Sequence, residues 1–302
     1  MHILIVRNNS NAGAVTASHD LMAYFDKQGI TYSASDSFDL PRQPKFPVDG
    51  EDDAAGLRYA DEAGEHLVDM IVVLGGDGTV LRAARMAGTS GVPIVGVNFG
   101  HLGFLSNPGD DGVVRVVEAA LAGDVVREER ANLHIDAGYL PHESLGDEEK
   151  VHHYASYFAL NELAITRGNL GNMVGLSVSV NGDPFMNIRG DGVVLASATG
   201  STAYALSAGG PVVSPAHRGM VMVPLAPHSL HSRAAVTAEG EVVTIELSQD
   251  VGTRAASHFV DGELLQRGSV VNHFTIRAGA RPTTLLRYRY DGFYSYAAKT
   301  FL

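Results

Sequence analysis

Four apolar residues, Ile71-Val72-Val73-Leu74, lead straight into Gly75-Gly76-Asp77-Gly78-Thr79. Val80-Leu81-Arg82-Ala83-Ala84-Arg85-Met86-Ala87 follows at helical spacing. The segment reads as strand, glycine-rich turn and helix. The surrounding sequence repeats that alternation, with strands expected at Ile3–Val6 and Pro93–Asn98 and helices at Ala17–Gln28 and Val113–Ala122. Strands alternating with helices predict an α/β domain with a parallel, wound sheet. The polar, proline- and aspartate-rich stretch Ser33–Gly56 reads as a loop.

From Leu133 the texture changes. Tyr157–Thr166, Val174–Val180, Gly192–Ala196, Glu241–Leu247 and Ser269–Arg277 are β-rich runs. Turn residues separate them, such as Asn181-Gly182-Asp183 and Glu239-Gly240. This pattern predicts an all-β, sandwich-like second domain. The expected boundaries are 1–130 for the α/β domain and 131–277 for the β-rich one. The charged segment Pro141–His153 reads as a hairpin tip, and its His142, His152 and His153 as loop residues in solvent rather than metal ligands.

Length and charge narrow the function. With 302 residues the chain has room for both domains. No apolar run approaches the roughly 20 residues of a membrane-spanning helix, and the start of the chain reads as a first strand rather than a signal peptide. The absence of cysteine excludes disulfides and thiolate metal sites, and makes a cytoplasmic setting the expectation. A formal net charge of −12 argues against general nucleic-acid binding. Any anionic substrate must then be met locally, by backbone N–H groups, a few arginines and a divalent cation.

The bend at Asp77 carries the chemistry. Three glycines let the backbone bend sharply and let a phosphate come close to N–H groups. Thr79 is placed to cap the next helix, whose N-terminus favours an anion. A carboxylate there would repel a phosphate. It makes sense if Asp77 binds Mg²⁺ or accepts a proton from an attacking hydroxyl, as phosphoryl transfer requires. A plain hairpin turn is the simpler reading, but the helical spacing that follows disfavours it. The common nucleotide signatures "GxxxxGK[ST]" and "GxGxxG" are missing.

"GGDGT" after an apolar strand resembles the superfamily of NAD kinases and diacylglycerol and sphingosine kinases. Further segments resemble the NAD kinase family in particular. Gly96-Val97-Asn98-Phe99-Gly100-His101-Leu102-Gly103-Phe104-Leu105 is similar to its "GvNxGxLGFL", and Asn161-Glu162 to its "NE" pair. Gly190-Asp191-Gly192 through Thr199-Gly200-Ser201-Thr202-Ala203-Tyr204 to Ser207-Ala208-Gly209-Gly210-Pro211 resembles "DGxxxxTPTGSTAYxxSxGGP". The departure there is Ala196-Ser197-Ala198-Thr199, where most members have "STPT". Pro227-His228-Ser229-Leu230 with Arg233 resembles "PHSLxxRP", with Ala234 in place of the last proline. Asp261-Gly262 matches a late "DG" turn. Gly292-Phe293-Tyr294 to Lys299 resembles a terminal helix that returns to the first domain, so that 278–302 is expected to pack there.

The resemblance implies transfer of a phosphoryl group from ATP, or from polyphosphate, to the 2′-hydroxyl of NAD. It gives Asp77 the catalytic place. Gly75, Gly76, Gly78, Thr79 and Arg82 fall to the donor phosphates, although Arg82 reads equally well as a solvated helix residue. For NAD the candidates are Gly78, Phe104, Asn161, Glu162, Arg189, Asp191, Thr199, Thr202, Ala203, Tyr204, Ser207 and Asp261. Phe104 on its own also reads as core, and His228 as a core histidine at least as readily as a contact. An arginine at position 189 tends to accompany preference for NAD over NADH in the family. A divalent metal, most simply Mg²⁺, and a homodimer or homotetramer are implied as well. A lipid kinase and a non-catalytic NAD-binding regulator are the alternatives.

Overall fold

The computed structural model describes residues 1–40, 56–62, 64–139, 153–169, 171–229, 231–265 and 270–301. It divides into two compact units. One joins the N-terminal segment and Asp52–Arg130 to Arg281–Leu302, and the other contains Ala131–Ala280.

In the first unit the chain runs β1 (His2–Arg7), α1 (Ala12–Gln28), β2 (Thr31–Asp36), β3 (Leu57–Asp61) and β4 (Gly64–Val68). It continues β5 (Met70–Leu74), α2 (Asp77–Ala87), β6 (Ile94–Val97), α3 (Val113–Ala122) and β7 (Val126–Arg130). The second unit holds β8 (Leu133–Tyr139), β9 (His153–Ala159), β10 (Glu162–Thr166), β11 (Val174–Val180), β12 (Asp183–Gly190) and β13 (Gly192–Ser197). After a short 3₁₀ turn at Gly200–Thr202 come α4 (Tyr204–Ser207), β14 (Met220–Leu225), β15 (Ala235–Val236) and β16 (Val243–Leu247). The unit ends with α5 (Val251–Arg254), β17 (Ser257–Val260), β18 (Glu263–Leu264) and β19 (Val271–Ala278). Finally β20 (Thr283–Arg287) and α6 (Phe293–Phe301) return to the first unit.

The first unit is built on one sheet in the order β2-β1-β5-β6-β20-β7. Its strands are parallel except for β7, which runs antiparallel to β20 at one edge. Side chains alternate across the sheet. Ile3, Ile5, Val72, Leu74, Val95 and Val97 meet Leu21 and Phe25 of α1 and Val116 and Val117 of α3. Helix α2 packs against β1, β5 and β6 with Val80, Ala83 and Ala84 fully buried. A fully buried valine, leucine or isoleucine side chain contributes about 1.5–3 kcal/mol. Asn11 starts α1 by accepting the Ala14 N–H at 3.0 Å, and Gly29 ends it in the left-handed region at φ 67°.

The second unit is a sandwich of two antiparallel six-stranded sheets, β15-β14-β13-β10-β17-β18 and β12-β11-β16-β19-β8-β9. Ile135, Ile245 and Phe274 of one sheet and Leu163, Leu195 and Met222 of the other share one core. The expected Asn181-Gly182 turn joins β11 to β12, with both residues at positive φ, 52° and 85°.

Three expectations change. Ser33–Asp36 is strand rather than loop, because the polar β2 needs to bury only one face at the sheet edge. Residues 41–55 of that stretch lie outside those described, as do His142 and His152 of the expected hairpin tip. Helix α1 begins at Ala12, five residues before Ala17, where Asn11 supplies the cap. Tyr157–Thr166 is two strands, β9 and β10, in different sheets, with Leu160 and Asn161 at the break.

Candidate active site

The bend after β5 is set by space more than by conformation. Gly76, the residue before α2, has an ordinary extended backbone with φ −97° and no side-chain cap. A Cβ on Gly75 would lie 2.4 Å from Thr79 Oγ1. Thr79 is not the cap expected for it. The helix already starts at Asp77, so Thr79 sits in the first turn, buried, with its N–H donating to the Gly76 carbonyl at 2.9 Å. The Gly75 N–H is used by the Val97 carbonyl at 3.1 Å.

Asp77 is half-buried, and the loop after β6 holds its carboxylate. Oδ2 accepts the Phe104 N–H at 2.7 Å, while Oδ1 accepts the Leu105 N–H at 3.2 Å and the Ser106 hydroxyl at 3.1 Å. Gly103 has to be glycine for this, because a Cβ would fall 2.0 Å from Asp77 Oδ2. The loop is anchored by Asn107, which donates to the Gly96 and Leu286 carbonyls and accepts the Tyr288 N–H, all at 2.9 Å. Beneath it lie two buried arginines and one glutamate. Arg130 Nη2 donates to the Phe104 carbonyl at 3.3 Å and to Glu128 Oε2 at 3.0 Å. Arg287 Nη1 donates to the Ser106 carbonyl at 3.2 Å, and its Nε lies 3.4 Å from Glu128 Oε2. Burial lowers the Arg287 pKa and Glu128 opposes that shift.

Phe104 lies among aromatic rings of α6, with centroids 5.7 Å from Phe293, 4.8 Å from Tyr296 and 5.6 Å from Phe301. Arg82 lies over the Phe38 ring at 4.2 Å and donates to Ser37 Oγ at 3.1 Å. Next to the bend is a cleft of about 540 Å³ lined by Asn11, Gly13, Asn98, Phe99 and Gly100, among others.

In the second unit another carboxylate organises a loop. Asp261 and Gly262 form the turn between β17 and β18 at φ 47° and 77°. Asp261 Oδ2 accepts the Leu160 N–H at 2.9 Å, and Oδ1 accepts those of Asn161 at 2.7 Å and Glu162 at 3.2 Å. These bonds replace the sheet ladder where β9 ends and β10 begins. Gly200 packs on the same break, since a Cβ there would be 2.3 Å from the Asn161 carbonyl oxygen. Glu162 is buried near the Tyr204 N–H, and its Oε2 has no hydrogen-bond partner. Burial, reinforced by the neighbouring Asp261, pushes its carboxyl up to about 8.

Asn161, Glu162, Gly200, Tyr204 and Asp261 therefore share one neighbourhood, with Tyr204 41% exposed. Ser201 does not cap α4. It is fully buried, donating to the Ala198 carbonyl at 2.7 Å and accepting the Val213 N–H at 3.0 Å. Thr199 is buried too, and its carbonyl accepts the Thr202 hydroxyl at 3.2 Å. Ala203 is partly exposed and Ser207 exposed. Asp191 pairs with Arg167 at 3.1 Å, with side chains 37% and 50% exposed. Arg189 is exposed on β12, and Asp250 feels its charge. His228 is exposed, against its reading as core, and its N–H donates to the Arg189 carbonyl at 2.8 Å. Sequence reasoning missed Ser106, Glu128, Arg130 and Arg287; Glu128 and Arg130 stand in a charged run that resembles a solvated strand.

An α/β unit with an acid at its glycine-rich bend, followed by an antiparallel sandwich, defines a two-part class matched by two family models. These are the ATP-NAD kinase N-terminal domain over residues 3–125 and the ATP-NAD kinase C-terminal domain over 160–288. The chain is 37% identical over 226 residues to the NAD kinase of Ralstonia nicotianae, covering 75% of this chain and 70% of that one. The chain belongs to the NAD kinase family. It is also 39% identical over 178 residues to the NAD kinase of Heliobacterium modesticaldum, covering 59% of each. With that of Cupriavidus pinatubonensis it shares 41% over 189 residues, 63% of this chain and 58% of the relative. The chain thus spans about three fifths of the length of these last two relatives. Two crystal structures share the fold. Yeast NADH kinase complexed with NADH has a TM-score of 0.75 at 21% identity, covering 96% of this chain and 84% of that one. An NAD kinase from Archaeoglobus fulgidus in complex with ATP has a TM-score of 0.66 at 22% identity, covering 96% and 94%.

Proposed function

We propose that the protein is an NAD kinase, forming NADP⁺ by moving the γ-phosphoryl group of ATP to the adenosine-ribose 2′-hydroxyl of NAD. The carrying observation is the Asp77 carboxylate, fixed by two backbone N–H groups and a hydroxyl at a helix start. In this reading Asp77 accepts the hydroxyl proton as the 2′-oxygen bonds to the γ-phosphorus and the bond to the β-phosphate oxygen breaks, releasing ADP. The amides of Gly76, Asp77 and Gly78, at the open end of α2, meet the donor phosphates. Those of Gly75 and Thr79 are already bonded within the protein.

NAD contacts are assigned to Gly78, Phe104, Asn161, Glu162, Asp191, Thr199, Thr202, Ala203, Tyr204 and Ser207, with Asp261 acting through the backbone it holds at Asn161. Arg189 supports NAD over NADH. Among the described residues no cluster of three or more Asp, Glu or His side chains is arranged for a metal. Mg²⁺ is accordingly assigned to the ATP phosphates, its usual ligands, and no step is derived through it. A homodimer or homotetramer belongs to this reading on the family resemblance. No helix among the described residues is long and apolar enough to cross a membrane.

The test is formation of NADP⁺ from NAD or of NADPH from NADH, read through a coupled NADP-specific dehydrogenase, with ATP or polyphosphate as donor. Absence of both products from every combination sinks the proposal. Phosphorylation of diacylglycerol by labelled ATP instead would point to the lipid kinases.

A further inference from the structure

We infer that Glu128, Arg130 and Arg287 are positioning residues for Asp77, acting through the loop that holds it. The inference rests on the NAD kinase reading above.

The geometry is a chain of contacts within one unit. β7 and β20 are antiparallel neighbours, with Glu128 opposite Leu285 and Arg130 opposite Thr283. Two-residue periodicity puts Glu128 and Arg130 on one face, with Arg287 diagonally across from Glu128. The side chains of Arg130 and Arg287 are 1% and 7% exposed, and that of Glu128 13%. One carboxylate facing two guanidinium groups leaves a surplus positive charge in a poorly solvated place. That arrangement is costly unless other acceptors meet the remaining N–H groups. The acceptors are the carbonyls of Phe104 and Ser106. The same stretch of backbone turns its other polar groups, the N–H groups of Phe104 and Leu105 and the Ser106 hydroxyl, to the Asp77 carboxylate.

The arginines thus grip the loop by its carbonyls while its donors grip the acid. The charge on Asp77 also acts directly on Arg287, completing the balance. A purely structural role has no need of charge here, because apolar side chains of similar volume fill buried space at least as well.

The test compares Glu128→Gln, Arg130→Lys and Arg287→Lys with Arg289→Gln, which breaks the exposed Arg289–Asp111 pair and removes the guanidinium that lies over the Tyr288 ring. A misplacement of about 1 Å at a reacting group costs of order 10²-fold. The three loop variants are expected to lose kcat on that scale, with KM for NAD and ATP unchanged. Amide hydrogen exchange at Phe104 and Leu105 should accelerate, while Arg289→Gln stays at the unsubstituted level in both measurements. Should the lysine variants not fold, Glu128→Gln carries the test, since it keeps the volume and one acceptor oxygen. Unchanged kcat with unchanged exchange overturns the inference, as does a rise in KM matching the fall in kcat. If the unsubstituted protein forms no NADP⁺, the kinase reading fails on its own account. The exchange measurement then decides the loop contact separately.

Discussion

Asp77 and Asp261 make the same kind of local contract and end up in different roles. Each carboxylate accepts three hydrogen bonds from a loop distant in sequence. Asp261 is 8% exposed, takes all three from consecutive backbone N–H groups, and has the buried Glu162 beside it. Asp77 is half-buried at a helix start, and one of its three donors is a hydroxyl. A carboxylate satisfied by protein and sealed from solvent is an architectural acceptor. In the proposed kinase, a carboxylate held equally firmly but left partly open serves as an oriented reagent.

The largest effect should come from making the open acid neutral. Asp77→Asn keeps the size and one acceptor oxygen but removes the proton acceptor. We expect kcat to fall by about 10²-fold or more, the scale of losing a general base, with NAD affinity measured by calorimetry largely kept. Near-normal turnover would end the assignment of Asp77 as base and make the two aspartates alike.

The sealed acid should answer in stability instead. Asp261→Asn tolerates the left-handed backbone of its turn, so the change isolates the carboxylate from turn strain. Charge-assisted hydrogen bonds are worth about 1.5–3 kcal/mol each, and an amide can serve only part of the three N–H groups. We expect a loss of about 2–3 kcal/mol in urea unfolding, on that same scale. A variant as stable as the parent would show that these bonds do not hold the β9–β10 break.

The contrast between the two acids was only half legible in the sequence. The strand, bend and helix around Asp77 were readable because Ile71–Leu74 and Val80–Ala87 carry clear, different periods. So were β11, α3 and the Asn181-Gly182 turn, where local chemistry and final structure agree. The break at Leu160–Asn161 was hidden, because its backbone is satisfied by a side chain a hundred residues away. The β3–β4 hairpin went unread for a different reason. Its strands are mostly exposed and polar, so they carry little hydrophobic period. Arg130 and Arg287 look like surface charges until β7 and β20 bring them together, and no pattern local to either records that pairing.

A pH-dependent effect should come from Glu162. Its folded-state pKa, about 8, lies above the ordinary 4.5. Its favourable contribution is therefore full below pH 4.5 and declines as pH rises towards 8, because unfolding lets the carboxyl ionise in water. The slope is about 1.4 kcal/mol per pH unit at most. Glu162→Gln has no such titration. The melting temperature of the variant minus that of the parent should climb through this window and level off above it. A flat difference would mean that Glu162 ionises in the fold as it does in water, and that the pocket beside Asp261 is not sealed.

The smallest effect should come from the exposed Arg167–Asp191 pair, which sharpens the same contrast at its open end. Half-exposed ion pairs are worth about 0–1 kcal/mol because water screens them and two long side chains must be ordered. Arg167→Ala should therefore leave the melting temperature almost unchanged. Under the kinase reading it should raise KM for NAD by no more than about fivefold, the same energy expressed in binding. Asp191 would still face the ligand, less well aimed, and kcat should hold because in that reading the proton acceptor is Asp77. A large fall in kcat with KM unchanged would place Asp191 with Asp77 among the acids that act in the reaction itself. Openness to solvent, rather than membership of the first unit, would then be the property that separates reagent from scaffold.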